Sequence, residues 1–447
     1  MNILRCSSIR ASSATIVAAL FLCACLVASA GASPAPSDPP QRIFSIRAYQ
    51  PVGNPSQQII VRFYFDATSS MAGFVKVHSN NGYRATLQQL EQAVTLGWKN
   101  SEIQCWKFGL RADRLNGSTC YTQPESESFF NLPRKDNVTR IDRIVNVAGQ
   151  SGLDVILTDL YQDDADLGVV FRSIKERVLQ HGLAFGIVAM RSPFSGQIYD
   201  IGLYRESKHW EGERPWYALV IGGEADVEQF LSQMAKPPLN VPADRLLLFS
   251  TRLWNQGVTW SSVSAQPDRM SEDPRLIQVA SSSVPVKVFR LQDNHTCGLR
   301  LRIVPSAARF RPVIDLQRGD AIRAEVSMRM LAPNGYQDPP AGTAAVQQQG
   351  TAINLSWNVD TVLRTAEYAE QVRVDFNPDA VRFPSFTSDW SVSLHDVLPD
   401  PTDKHDAQKK FDGSKTQNLS EFVHGLWALL VQQKGTGLGD LYLYLRR

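Results

Sequence analysis

Ile59-Ile60-Val61-Arg62-Phe63-Tyr64-Phe65, followed at once by Asp66-Ala67-Thr68-Ser69-Ser70-Met71-Ala72-Gly73, is the stretch on which the reading of this chain turns. An apolar, β-branched and aromatic run that stops at small hydroxylated residues has the pattern of a buried central strand emerging into a loop. In open α/β sheets, the carboxyl ends of such strands are where ligands bind. The loop carries a carboxylate and two hydroxyls at alternate positions, Asp66, Thr68 and Ser70, so a tight turn can aim all three at one point. Three hard oxygen donors suit magnesium, manganese or calcium rather than zinc.

Taken alone, small hydroxylated residues after a strand also begin turns and cap helices. Two further stretches bear on the choice. Asp154-Val155-Ile156-Leu157-Thr158-Asp159-Leu160 is a second short apolar strand ending in a carboxylate. Between the two strands, Asp136-Asn137-Val138-Thr139 opens an amphipathic run with Ile141, Ile144, Val145 and Ala148 on one face, which puts Thr139 near a helix amino terminus. Together these motifs resemble the metal-ion-dependent adhesion site of von Willebrand factor type A (vWA) domains. The resemblance implies Asp66, Thr68 and Ser70 as the first metal loop, Thr139 as the second-loop ligand and Asp159 as the third-loop carboxylate. Thr68 stands where serine is commoner, and Leu160 where glycine often follows the aspartate.

A chain of 447 residues predicts two domains behind a leader. With 46 basic and 44 acidic residues and a net charge of +2, it lacks the basic surplus of a nucleic-acid binder. Residues 1–30 have the form of a signal peptide: Arg5 and Arg10 precede an apolar core over 15–27, and Ala28-Ser29-Ala30 offers a cleavage site. Leu22-Cys23-Ala24-Cys25 also resembles a lipobox, so a lipid anchor at Cys25 stands beside simple cleavage. Either route exports the protein to the periplasm or cell envelope, or secretes it. Residues 31–42, rich in proline, serine and alanine, then form a flexible tether. Outside the leader remain Cys105, Cys120 and Cys297. A disulfide closing the excursion from Cys105 to Cys120 suits an oxidising compartment, and Cys297 is expected to be buried and inert.

The expected architecture is α/β: a doubly wound, Rossmann-like vWA domain over 43–255, a linker over 256–274 and a β-rich, sandwich-like domain over 275–447 with a C-terminal helix. In the first domain, helical periodicity covers 84–98, 139–149, 167–180 and 225–234, alternating with strands at 59–65, 103–108, 155–158, 183–190, 216–221 and 245–251. Residues 204–214 are expected as an insertion. Beyond 275 the period changes to short alternating strands at 285–291, 298–304, 310–316, 321–330, 351–358, 370–376 and 388–394, the pattern of a sandwich. A helix over 419–433 and a strand over 440–445 close the chain.

Other features have plainer readings. Gly435-Thr436-Gly437-Leu438-Gly439 follows a helix and lacks a lysine, so it does not fit a phosphate loop. Asp163, Asp164 and Asp166 suit a helix amino terminus better than a second cation, and Trp210 and Trp216 suit the core better than an interface. The function expected is a divalent-cation-dependent protein-binding module for adhesion or assembly, with Mg²⁺ as the expected cation and Mn²⁺ or Ca²⁺ as alternatives. A partner protein's acidic residue would complete the coordination. The alternative is a metal-dependent hydrolase or phosphatase using the same ion. It lacks a second catalytic set: position 68 is threonine rather than the aspartate of an Asp-x-Asp loop, and no histidine or lysine is tied to the site by spacing.

Overall fold

The computed structural model describes residues 53–77, 82–117, 120–149, 151–161, 167–199, 207–251, 258–265, 270–273, 286–291, 297–305, 309–332, 335–337, 342–343, 345–349, 352–359, 367–393 and 412–446. The expected leader and tether, Cys25 and the acidic cluster Asp163, Asp164 and Asp166 lie outside the described residues, as does the side chain of Cys297. Among the described residues, no helix is long and apolar enough to cross a membrane.

The chain forms a mixed α/β fold around a seven-stranded sheet. Its strands are β1 (Gln58–Asp66), β2 (Asn100–Phe108), β3 (Ala112–Arg114), β4 (Leu153–Thr158), β5 (Ala184–Ile198), β6 (Lys208–Gly222) and β7 (Leu246–Phe249), ordered β3-β2-β1-β4-β6-β5-β7. β1 pairs in parallel with β2 on one side and with β4 on the other, while every remaining pair is antiparallel. This departs from the six-stranded doubly wound sheet expected. Residues 199–207 are too few for the crossover of a dozen or more residues that a parallel connection needs, so β5 and β6 form a hairpin and β6 returns beside β4. The expected insertion over 204–214 is largely the first half of β6.

Side chains alternate across the sheet as the period of two requires. Ile59, Val61, Phe63 and Phe65 of β1 face one layer with Val155 and Leu157 of β4, where helices α2 (Gly82–Gly97) and α5 (Glu224–Met234) cover them. α1 (Gly73–Lys76) lies between β1 and α2. Tyr64, Ile156, Tyr217, Leu219 and Phe185 face the other layer, under α3 (Ile141–Val147) and α4 (Leu167–Ile174), which runs on as a π-helical turn to Leu179. Cys105 on β2 is disulfide-bonded to Cys120, the pairing expected, and both are buried.

One buried pair fixes the register that matters here. Arg62 and Asp154 are register partners on β1 and β4, and Arg62 Nε and Nη2 reach the two Asp154 carboxylate oxygens at 2.6 and 2.9 Å. Slipping one strand past the other by a residue would turn a buried charge to the opposite face, leaving it uncompensated.

The C-terminal half is β-rich, as expected, but its strands begin early. β8 (Val258–Ala265) and β9 (Met270–Asp273), inside the expected linker, pair with β11 (Cys297–Pro305) and β10 (Val286–Leu291). A second sheet runs β14 (Gly335–Gln337), β13 (Ile322–Ala332), β18 (Glu367–Phe376), β22 (Gly437–Arg446), β10, β9, with β15 (Gly342–Thr343) also on β13; a third runs β16 (Ala345–Gln349), β17 (Ala352–Val359), β11, β8. The glycine-rich stretch near 435 leads into β22. Where strands were expected at 310–316 and 388–394 there are only short pieces, β12 (Val313–Ile314), paired with β19 (Val381–Arg382), and β20 (Ser391–Val392), which follows α6 (Phe386–Asp389). β20 pairs with β21 (Thr416–Gln417). The apolar residues that suggested longer strands pack instead into the core, Phe310 buried and Trp390 partly buried against it.

The last helix, α7 (Leu419–Lys434), joins the halves. Phe422 stacks on Phe171 of α4 at 5.7 Å between ring centroids and meets Phe185 of β5 edge-on, while Trp427 packs on Phe376 of β18. One continuous apolar cluster therefore runs from the first sheet through α7 into the second. Phe422→Ala should cost about 3–5 kcal/mol, and denaturant unfolding followed by both near-UV and far-UV signals should remain a single transition. Two separated transitions in the parent would contradict a shared core.

Candidate functional site

β1 and β4 are neighbours and parallel, so their carboxyl ends leave the sheet at the same edge. From β1 the chain passes to β2 on one side, and it returns later to β4 on the other, which opens a crevice between the two loops. Asp66 ends β1 and Asp159 follows β4; both have 0 % of their surface exposed. Thr68, Ser70, Thr139 and Thr158 are buried with them.

The first loop folds back on its own carboxylate. Thr68 donates to Asp66 Oδ1 through its backbone N–H at 3.1 Å and its hydroxyl at 2.6 Å. Thr139 precedes α3 but does not cap it: the helix has no side-chain cap, and the Thr139 hydroxyl donates to Asp66 Oδ2 at 3.3 Å and lies 3.0 Å from Thr68 Oγ1. Ser70 Oγ lies 3.2 Å from Thr68 Oγ1 and donates to Asp159 Oδ1 at 3.4 Å. All five residues expected at the site are thus brought together by hydrogen-bond contacts among themselves.

Three participants were missed by sequence reasoning. Thr158, the residue before Asp159, donates to Asp66 Oδ2 at 2.9 Å and accepts from the Leu160 N–H at 3.2 Å. Its place at the end of an apolar strand, facing β1, was the available signal. Asn137 ties the second loop to the first, accepting from the Ser69 N–H at 2.9 Å and donating to Ser69 Oγ at 3.0 Å. Arg214 on β6 places Nη2 3.5 Å from Asp159 Oδ2, with side-chain exposures of 1 % and 0 %. Its only trace in the sequence is a lone cation at the head of the apolar run from Pro215 to Gly222.

Leu160 holds φ at +64°, in the left-handed region that glycine enters freely. A leucine there costs roughly 1–2 kcal/mol of backbone strain, offset in part by its packing against the apolar core. Its neighbour Tyr161 donates its N–H to Asp159 Oδ1 at 3.2 Å, so the turn holds that carboxylate in place.

The β5–β6 hairpin rises past this edge. The last residue of β4 pairs with Tyr217, yet β5 and β6 stay paired from Met190 and Trp216 out to Ile198 and Lys208. At about 3.4 Å per residue that is an arm of roughly 30 Å. Trp216 is buried, with its ring tilted against Tyr83 and Phe74, and Trp210 is half-buried against the same apolar cluster. Between α1 and the arm lies an open groove of about 690 Å³, lined by Lys76, Phe194, Ser195, Glu211 and Glu213 among others.

A scan against protein-family models finds no match to this chain, and a search of the curated proteins finds no relative. The chemistry has to be read from the donors. Among the described residues no three His, Cys, Asp or Glu side chains cluster; the site instead mixes two carboxylates with hydroxyls. Neighbouring oxygens around an octahedral ion sit about 2.9 Å apart for Mg²⁺ and about 3.4 Å for Ca²⁺ at ordinary bond lengths. The side-chain contacts among Thr68, Ser70, Thr139, Asp66 and Asp159 run from 2.6 to 3.4 Å, the shortest being the Thr68–Asp66 hydrogen bond. The donor set fits a hard divalent cation, and without one the same groups satisfy one another.

Charge points the same way. Burial, and then the negative charge of Asp159, push the Asp66 carboxyl up from 3.8 to about 7, against the opposing hydrogen bonds from Thr68 and Thr158. The ion-free folded protein thus holds a proton on Asp66 that the unfolded chain releases. Stability from this group is full below pH 3.8 and is lost as the pH rises towards about 7. In chelator, the melting temperature of the parent should fall across that window relative to Asp66→Asn, whose amide does not titrate. Parallel profiles for the two proteins would show that Asp66 carries no such proton.

Proposed function

We propose that this chain is a cation-dependent protein-binding module of the vWA kind, exported to the cell envelope, in which Asp66, Thr68, Ser70, Thr139 and Asp159 hold one hard divalent cation. The observation that carries the reading is the convergence of these five buried oxygen donors, two of them carboxylates, from three loops at the carboxyl edge of parallel strands. When bound, the cation would supply an electrophilic position for a partner's aspartate or glutamate. The protein's own groups do the rest. Thr68, Thr139 and Thr158 orient the Asp66 carboxylate, Asn137 locks the first loop to the second, and the Leu160 turn presents Asp159.

Specificity for a partner would come from the surface beside the loops, where the projecting arm and its groove offer both signs of charge through Lys76, Glu211 and Glu213. The hydrolase alternative needs a base near the ion. The charged group that does stand at Asp159 is a guanidinium, which stays protonated and cannot take that part.

Calorimetric titration of the leaderless protein with Mg²⁺, Mn²⁺ and Ca²⁺ tests the proposal. The parent should bind one equivalent, with affinity rising as the pH passes about 7 because a proton on Asp66 competes. Asp66→Ala should bind none while keeping its circular dichroism spectrum. Undiminished binding by Asp66→Ala would remove the assignment.

A further inference from the structure

Arg214 is a charge for which a simple cation site has no need. Its guanidinium is 1 % exposed, lies 3.5 Å from Asp159 Oδ2, and is held from behind. Nη1 donates to the carbonyls of Gly413 at 3.3 Å and Lys415 at 3.5 Å, and the Phe194 ring centroid is 5.6 Å from its Cζ. The strap at residues 412–418 is itself fastened. Arg191 donates to the Ser414 carbonyl at 2.9 Å, the Thr416 hydroxyl meets the Tyr217 hydroxyl at 2.9 Å in the interior, and β21 pairs with β20. A Cβ on Gly413 would collide with the Trp210 ring, so the strap lies hard against the arm. Arg214 is therefore built in and cannot swing away without undoing the strap.

We infer that Arg214 sets the charge of the site, so that the cation by itself is held weakly and an anionic ligand is required to complete it. The inference rests on the cation reading above and names the ligand chemistry of that same site. Asp66 and Asp159 supply two negative charges, which a divalent cation alone would neutralise. With Arg214 present the loaded site carries one positive charge in excess. A buried guanidinium is poorly screened and does not give up its proton. Placed beside a ligand carboxylate, it opposes the entering cation and favours an entering anion. Neutral oxygen donors such as water leave the excess in place; a carboxylate from a partner protein removes it. Arg214 thus acts as a specificity-determining residue that ties cation retention to partner binding.

The test is Mn²⁺ titration of the parent, Arg214→Gln and Arg214→Lys, each with and without acetate as the carboxylate probe, after near-UV circular dichroism has compared their folds. Arg214→Gln should bind Mn²⁺ alone roughly tenfold or more tightly than the parent. Acetate should tighten Mn²⁺ binding severalfold in the parent and little in Arg214→Gln. Arg214→Lys, which keeps the charge and loses the fork of hydrogen bonds, should follow the parent in both respects. Unchanged Mn²⁺ affinity in Arg214→Gln, equal acetate gains in all three, or a lysine variant that follows glutamine would each overturn the inference while leaving the cation site standing. A parent that binds no Mn²⁺ would instead remove the cation reading on which it rests.

Discussion

Two carboxylates, Asp66 and Asp159, are buried side by side at one edge of the central sheet, and the surrounding structure is arranged to make that tolerable. Burying a carboxylate without compensation is costly. The compensation comes from several sources: hydroxyls of Thr68, Thr139 and Thr158 around Asp66, the loop amide of Tyr161 and the guanidinium of Arg214 around Asp159. Even so, burial and the charge of Asp159 leave the Asp66 carboxyl pushed up to about 7, so below that pH the site keeps a proton there.

That arrangement depends on the pairing of β1 with β4. Parallel neighbours end at the same edge, and the Arg62–Asp154 pair between them sets how far each loop extends past it. The carboxylate-bearing loops are consequently presented by strands buried under apolar layers on both faces. A site that has to hold oxygen donors within a few tenths of an ångström benefits from such a support.

The C-terminal half shares an apolar cluster with the first sheet. α7 carries the apolar cluster from the first sheet into the second, and the strap before it fastens Arg214. Through that strap, a segment two hundred residues distant in sequence supplies the backbone carbonyls that hold the charge beside Asp159. The arm formed by β5 and β6 is where the strap docks, which links the departure from a doubly wound sheet to the composition of the site.

The residues that could be recognised from the sequence were those whose roles are local. An apolar run ending in Asp66-Ala67-Thr68-Ser69-Ser70 announces a buried strand and its loop, Thr158-Asp159 closes a second one, and Thr139 opens a helix; the period of two and the helical period identify most elements on either side. Cys105 and Cys120 were readable because only one other cysteine, Cys297, lies beyond residue 30. The pairing of strands was not readable: only the inner halves of β5 and β6 have the composition of buried strands, and the polar first half of β6 reads as an insertion until its pairing with β5 is seen. Nor were short pieces such as β12 and β20, where apolar residues fill the core without extending a ladder. Arg214 is the clearest case. By itself the sequence determined which oxygen donors stand at the ends of strands, because burial pattern and local chemistry are written in neighbouring residues. Tertiary structure alone decided which charge faces them, because that depends on how strands far apart in the chain are paired and on a strap that closes over them.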